Sequence, residues 1–435
     1  MKFPLRIALP VAGALLVAGT TLAFFRWQLK TGVTELRQSW IRPEETPRQT
    51  KLMPDDPAEA GDRSLLFLRR GDLAAWGGDW TQAETEYQQA VDAGGGIVAL
   101  RKLAQAQMQR RKFDAVTRTI HRLEREGDRS EDVLLLRSLV HLRTGQADEA
   151  QTLLDAAPAS PQKHYALALL AISRTDHERA QSELKQVVTG WEPELRDSAD
   201  VLLRAYDEFA LFPDGSEAHL DTLLARGLAG VQECEIALPL LSHALGGRDD
   251  YRDAWIVQGY CELMTERHKQ ALASLERAYA IDPEKPETQY FLGRAHAMNG
   301  DHRNAVTFLQ YALRNGLQPE DEVRRILAME AERAGDPDTA LAQYKALATL
   351  PDADVDAFTA FVTYALSVGQ TKDAYDAAAT AVKKWPDDAR TQELLGWSAG
   401  EAGDRDAAIA ALEKALQLDP TRESARERLK KLTSP

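Results

Sequence analysis

Along the C-terminal half of the chain a small residue recurs at Ala237, Ala271, Ala305, Ala340, Ala374 and Ala408, at steps of 34, 34, 35, 34 and 34 residues. Four residues later comes Leu241, Leu275, Leu309, Tyr344 or Leu412, with Ala378 as the small exception, and three further on Ala244, Ala278, Ala312, Ala381 or Ala415. Positions i, i+4 and i+7 share one face of a helix. The small members let a neighbouring helix approach, and leucine fills the remaining space. Five residues before the leading position stands a glycine in most units, at Gly78, Gly145, Gly300, Gly335, Gly369 and Gly403. Glycine takes the left-handed conformation that ends a helix. Asp79, Asp301, Asp336 and Asp404 follow directly and suit an N-cap. Each unit therefore reads as helix, tight turn, helix. Asp282-Pro283 and Asp419-Pro420 break the second helix before the next unit.

A phased 34-residue helix-turn-helix of this kind resembles the tetratricopeptide repeat family, whose pattern is W-x2-L-G-x2-Y…A-x3-F…P. Residues 252–285 carry Trp255, Gly259, Ala271, Leu275, Ala278 and Pro283 on signature positions, and residues 389–422 carry Leu395, Gly396, Ala408, Leu412, Ala415 and Pro420. Toward the N-terminus the pattern is more degenerate. Phe67, Gly71, Ala83, Tyr87 and Ala90 make one unit, and Ala115, Ala150 and Ala180 mark the next three, at steps of 32, 35 and 30. The 57-residue step from Ala180 to Ala237 predicts one irregular hairpin near residues 194–212. The expected fold is all-α, ten or eleven hairpins over residues 63–422. It divides into a degenerate part, 63–251, a well-formed part, 252–422, and a charged capping helix and tail, 423–435. The resemblance implies a right-handed superhelical solenoid with a concave groove, in which each hairpin buries its apolar face only by stacking.

The resemblance also implies where a partner would bind, since helix-A positions line the groove in this family. Carried onto this chain they give Ile256, Tyr260, Met264, Tyr290, Arg294, Met298, Arg325 and Met329, with Trp397 in the last full repeat. The apolar members suit a peptide or partner helix. Arg294 and Arg325 suit a carboxylate or phosphate. The alternative is that these side chains pack between helices, and that Trp397 lies under the capping helix. Tyr260 and Arg294 stand where members that bind chaperone tails have asparagine, which argues against that ligand.

Residues Ile7 to Phe25 run for 19 residues without a charge after Lys2 and Arg6. As a helix they would span about 28 Å, near the hydrocarbon thickness of a bilayer. Residues 1–30 thus read as a single-pass anchor with Trp27 at the interface; the competing reading is a cleaved signal ending at Gly19 or Ala23. Pro43, Pro47, Pro54 and Pro57 among charged residues mark 31–62 as a tether. The expected location is a bacterial inner membrane with the body in the periplasm, although Arg26, Lys30, Arg37 and Arg42 after the span leave a cytoplasmic body open.

Composition narrows the function. With 53 Lys+Arg against 67 Asp+Glu the net charge is -14, which opposes a nucleic-acid partner. Two cysteines, Cys234 and Cys261, exclude a disulfide scaffold and read as buried thiols or a facultative pair. The nine histidines form no close-spaced ligand set, and Gly94-Gly95-Gly96 lacks the lysine of a phosphate loop. No metal, cofactor or catalytic residue is expected. The sequence predicts a non-enzymatic, membrane-tethered scaffold or adaptor for a protein or peptide, with self-association open, serving envelope assembly or export. The rivals are a periplasmic chaperone and a structural subunit acting through its convex face.

Overall fold

The computed structural model describes residues 57–434 apart from Trp191 and Pro213. The expected anchor, and the tether up to residue 56, lie outside these residues. Among the described residues there are twenty-two α-helices and no strand, and no helix is long and apolar enough to cross a membrane. The chain divides into two compact units, one ending at Ile281 and one beginning at Asp282.

The first unit opens with four hairpins: α1 (Pro57–Trp76) with α2 (Trp80–Asp92), α3 (Gly96–Gln109) with α4 (Phe113–Arg125), α5 (Glu131–Arg143) with α6 (Ala147–Ala156), and α7 (Pro161–Ser173) with α8 (His177–Val188). After the unpaired α9 (Pro193–Ala210) come α10 (Glu217–Gly230) with α11 (Cys234–Gly247) and α12 (Arg252–Met264) with α13 (His268–Ile281). The second unit holds α14 (Pro286–Met298) with α15 (His302–Arg314), α16 (Glu320–Ala334) with α17 (Pro337–Ala348), α18 (Val355–Ser367) with α19 (Thr371–Lys384), and α20 (Ala389–Glu401) with α21 (Arg405–Leu418). The terminal helix α22 (Glu423–Thr433) closes it.

Each hairpin is locked by one contact. Apart from Ala115, the leading alanines from Ala83 to Ala408 are fully buried, as are Leu275, Leu309 and Leu412 one turn on. Facing them on the first helix of four hairpins is a glycine with no room for more, at Gly71, Gly259, Gly293 and Gly396; the other six carry Ala104, Ser138, Ala168, Ala225, Ala328 or Val362 there. A Cβ on Gly259 would lie 2.4 Å from Leu275 Cγ, on Gly396 2.6 Å from Leu412 Cγ, and on Gly71 2.4 Å from the Tyr87 ring. The turns behave as expected: Gly78 and Gly403 have φ of +78° and +84°, and the carboxylates of Asp79, Asp301, Asp336 and Asp404 accept the N–H three residues on.

Four hairpins of the first unit lack that glycine. Arg111, Thr175, Gln232 and Glu266 take its place at φ of +54° to +63°. Arg111 corrects the expected register: the fully buried small-residue position of that hairpin is Val116, five residues on, and Ala115 beside it is only half-buried. The β-branched residue fills the alanine's place, so the step from Ala83 is 33 residues. The 57-residue gap is corrected as well. It contains no irregular hairpin but one 18-residue helix, α9, inserted between two regular pairs. Residues 57–62, expected to belong to the tether, lie in α1, which starts at Pro57, a residue suited to a first helical turn.

The first unit contains a contact that stacking alone does not provide. Helix α11 touches α5 and α7, far back in the chain. Arg143, at the end of α5, donates two parallel bonds of 2.8 Å to the Glu233 carboxylate before α11. Arg111 donates 2.9 Å to the Gln232 carbonyl and pairs with Glu235 at 2.8 Å. Both pairs are largely buried, with side-chain exposures of 13% and 4% for Arg143 and Glu233. Beside them Cys234 and Cys261 are free, fully buried and adjacent; burial pushes the Cys261 thiol well above its usual range and so makes it unreactive.

The lock and the clamp yield two expectations. Gly259→Ala gains about 1 kcal/mol of helix propensity but overpacks Leu275 at a cost of about 1–3 kcal/mol, so the hairpin is weakened. Gly400→Ala, whose Cβ would meet Ala408 and Leu432 at 3.7–3.8 Å, keeps the gain. Opposite shifts in the urea midpoint check the pair. Arg143→Ala strands a buried carboxylate and lowers stability by about 3–5 kcal/mol, whereas Arg143→Met with Glu233→Leu restores most of it; amide exchange in α11 reads the difference.

Candidate partner-binding site

In the second unit the first helices of successive hairpins bring a charged and aromatic cluster together. Tyr290 and Arg294 lie one turn apart on α14. The Tyr290 ring is 1% exposed, and the Arg294 guanidinium sits 5.7 Å over it and donates 3.2 Å to its hydroxyl. On α16, the next first helix, Glu322 and Arg325 lie one turn apart; Glu322 acts electrostatically on Tyr290, and both Arg294 and Arg325 act on Glu322. Arg325 and Met329 are half-buried, and Met298 at the end of α14 is 39% exposed. Among the described residues Arg325 makes no side-chain hydrogen bond or ion pair.

Glu322 was absent from the expected set and is the most unusual group of the site. It is 6% exposed, and its Oε1 is buried without a hydrogen-bond partner among the described residues. Burial, helped by the Asp321 carboxylate, pushes its carboxyl up to about 8, against the opposing pull of Arg294 and Arg325. At neutral pH it is thus largely an uncharged acid that can both donate and accept. The sequence carries a signal for it: Glu322 occupies the same repeat position as Asp253 and Glu287, one that the family resemblance places on the groove.

The remaining expected residues fall elsewhere. In the first unit Ile256 and Tyr260 on α12 are 1% and 6% exposed and pack between helices, offering little area to a partner. Met264, half-buried, lines a cavity of about 610 Å³ bounded by the turns near Asp79, Lys112 and Glu266 and by the Arg111–Glu235 pair. Its cations are largely neutralised from within, since Arg110 and Lys112 both pair with Glu84. In the second unit Trp397 is half-buried, and the guanidinium of Arg428 from α22 lies 3.9 Å from its ring centre. The capping helix therefore covers one face of the indole.

Two of the histidines pack against neighbouring side chains. The His302 and Glu330 side chains are 2.7 Å apart, and the His296 ring stacks on Phe308 at 5.3 Å. Among the described residues no group of three or more His, Cys, Asp or Glu could hold a metal ion.

The raised carboxyl makes the second unit pH-sensitive in a defined direction. A carboxyl at about 8, against an ordinary 4.5, contributes stability that is complete below pH 4.5 and lost as pH rises through 8. Glu322→Gln cannot ionise. Its melting temperature is expected to match the parent near pH 4.5 and to exceed it by a growing margin up to pH 8, as read by calorimetry.

Family models of the tetratricopeptide repeat match residues 262–329 in one form, and 222–286 and 359–423 in another. Among solved structures the chain is similar to YrrB, a TPR protein with an unusual peptide-binding site, at 19% identity over 44% of this chain and 97% of that one, with a TM-score of 0.37. A tetratricopeptide repeat protein from Parabacteroides merdae is 14% identical over 63% and 99%, with a TM-score of 0.33. Yeast Tom70 is 14% identical over 85% and 95%, with a TM-score of 0.29. No curated protein matches the chain. The matched repeats and the hairpins that carry their signature residues agree: residues 222–329 and 359–423 are tetratricopeptide repeats, a fold of stacked hairpins that serves as a scaffold for protein–protein interaction.

Proposed function

We propose that this protein is a membrane-tethered adaptor that holds a peptide segment of a partner against the first helices of its second unit. The observation that carries the reading is the cluster of Tyr290, Arg294, Glu322 and Arg325 on successive first helices, with Glu322 buried and unpartnered. Burial holds Glu322 neutral, so among the described residues neither Arg294 nor Arg325 is paired with a carboxylate. The two guanidinium groups could take a carboxylate of an extended peptide, while Met298 and Met329 adapt to its apolar side chains. The chemistry is that of a binding site, and the repeat fold is typically a non-enzymatic scaffold.

The uncharged run from Ile7 to Phe25 after a short basic start supports tethering to a bacterial inner membrane with the repeats on the periplasmic side. Held there, the site would raise the local concentration of its partner at the membrane, as an assembly or export complex requires.

A photocrosslinker at Met298 in intact cells tests this, with one at Arg303, exposed on the second helix of the same hairpin, as the control. One discrete partner is expected from position 298 alone, with yield falling about tenfold in the Arg294→Ala, Arg325→Ala double variant, the scale of a lost charge-assisted contact. Many unrelated exported clients would instead indicate a chaperone. Products from position 303 alone would point to a structural subunit that does not use this face.

A further inference from the structure

An array of stacked hairpins needs a polar outer face on its terminal helices. At the C-terminal end α22 supplies one: only Ala425 is buried, and Arg426, Glu427, Lys430 and Lys431 surround it. At the other end α1 does not. One side of α1, through Ser64, Phe67, Leu68, Gly71, Ala74 and Ala75, packs on the first core. The opposite side carries Leu65, Leu66, Leu73 and Trp76, exposed by 54%, 47%, 68% and 90%. At 100° per residue these four fall within one stripe about 100° wide, as on a helix with a second partner. Arg69 lies within the stripe and Asp72 at its border.

We propose that the missing partner is the chain's own segment from Leu29 to Trp40, docked on this stripe as the N-terminal cap of the array. Leu29, Val33, Leu36 and Trp40 recur at i, i+4, i+7 and i+11, one narrow face of a helix. That face and the stripe from Leu65 to Trp76 each cover eleven residue steps, about 17 Å of helix. The sixteen residues 41–56 between them reach up to about 50 Å, enough for either direction of packing. A second copy fits less well. A two-fold pairing of α1 with itself would set Arg69, near the middle of the stripe, against its own counterpart. The proposal concerns a different surface from the partner site and stands or falls separately from it.

The test is a benzoylphenylalanine at position 73 in the full-length protein held in nanodiscs containing anionic lipid, irradiated and mapped by mass spectrometry. Expected is an intrachain adduct to residues 29–40, reduced at least tenfold in the Val33→Asp, Leu36→Asp double variant. As a fold control, the double variant should keep the amide protection of α3 and α4. An adduct between two chains, an adduct to lipid, or no adduct in a protein that keeps that protection would each overturn the proposal.

Discussion

The close approach of the two helices within each hairpin is the constraint on which the remaining structure depends. It requires that the first helix present a small side chain or none at the crossing: glycine in four hairpins, and alanine, serine or valine in the other six. Gly259 against Leu275 and Gly396 against Leu412 satisfy it with no space to spare. The alanines on either side of that leucine then let the hairpin seat on the next. Because the requirement is local, it can repeat without reference to the rest of the chain. That is why a single 34-residue rule accounts for most of the helices.

The two units use the same hairpin differently. In the second, the first helices leave polar groups facing one another with partial satisfaction, and Glu322 is held neutral by burial beside two guanidinium groups. In the first, the equivalent surfaces are largely consumed by the fold itself. Ile256 and Tyr260 are packed away, and the buried arginine–glutamate pairs tie α11 to the ends of α3 and α5. Buried ion pairs of this kind add little net stability over apolar packing but penalise any arrangement that separates them. They therefore specify how far the first unit curls. The departures from glycine at Arg111, Gln232 and Glu266 cluster around that clamp and its adjoining cavity, and at Arg111 the side chain makes contacts that glycine could not.

Much of the fold was legible because its determinants are periodic. The turn glycines, the capping aspartates and the alanine–leucine–alanine face could be placed by counting, and the structure sets them where the count does. The errors came where a substitution preserved the physics but not the letter. Val116 fills the place of the small residue, so a search for alanine settled on its neighbour Ala115. A lone helix, α9, broke the phase without leaving a signature of its own. Of the candidate site, Arg294, Arg325, Met298 and Met329 could be named from their repeat positions. Their degree of exposure could not, and neither could the burial that makes Glu322 unusual.

By itself the sequence determined the hairpin, its length, its turns and its capping, because each depends on residues within about forty positions of one another. It also determined the overall acidity and the two-cysteine content that limit the chemistry. Only the tertiary structure decided which side chains are spent on packing and which remain available. It alone brought Arg143 to Glu233 and Arg111 to Glu235, pairs separated by roughly a quarter of the chain. It alone showed that α1 carries an apolar face on each side while α22 does not. Such facts depend on how successive small rotations accumulate, and no local pattern of residues records that sum.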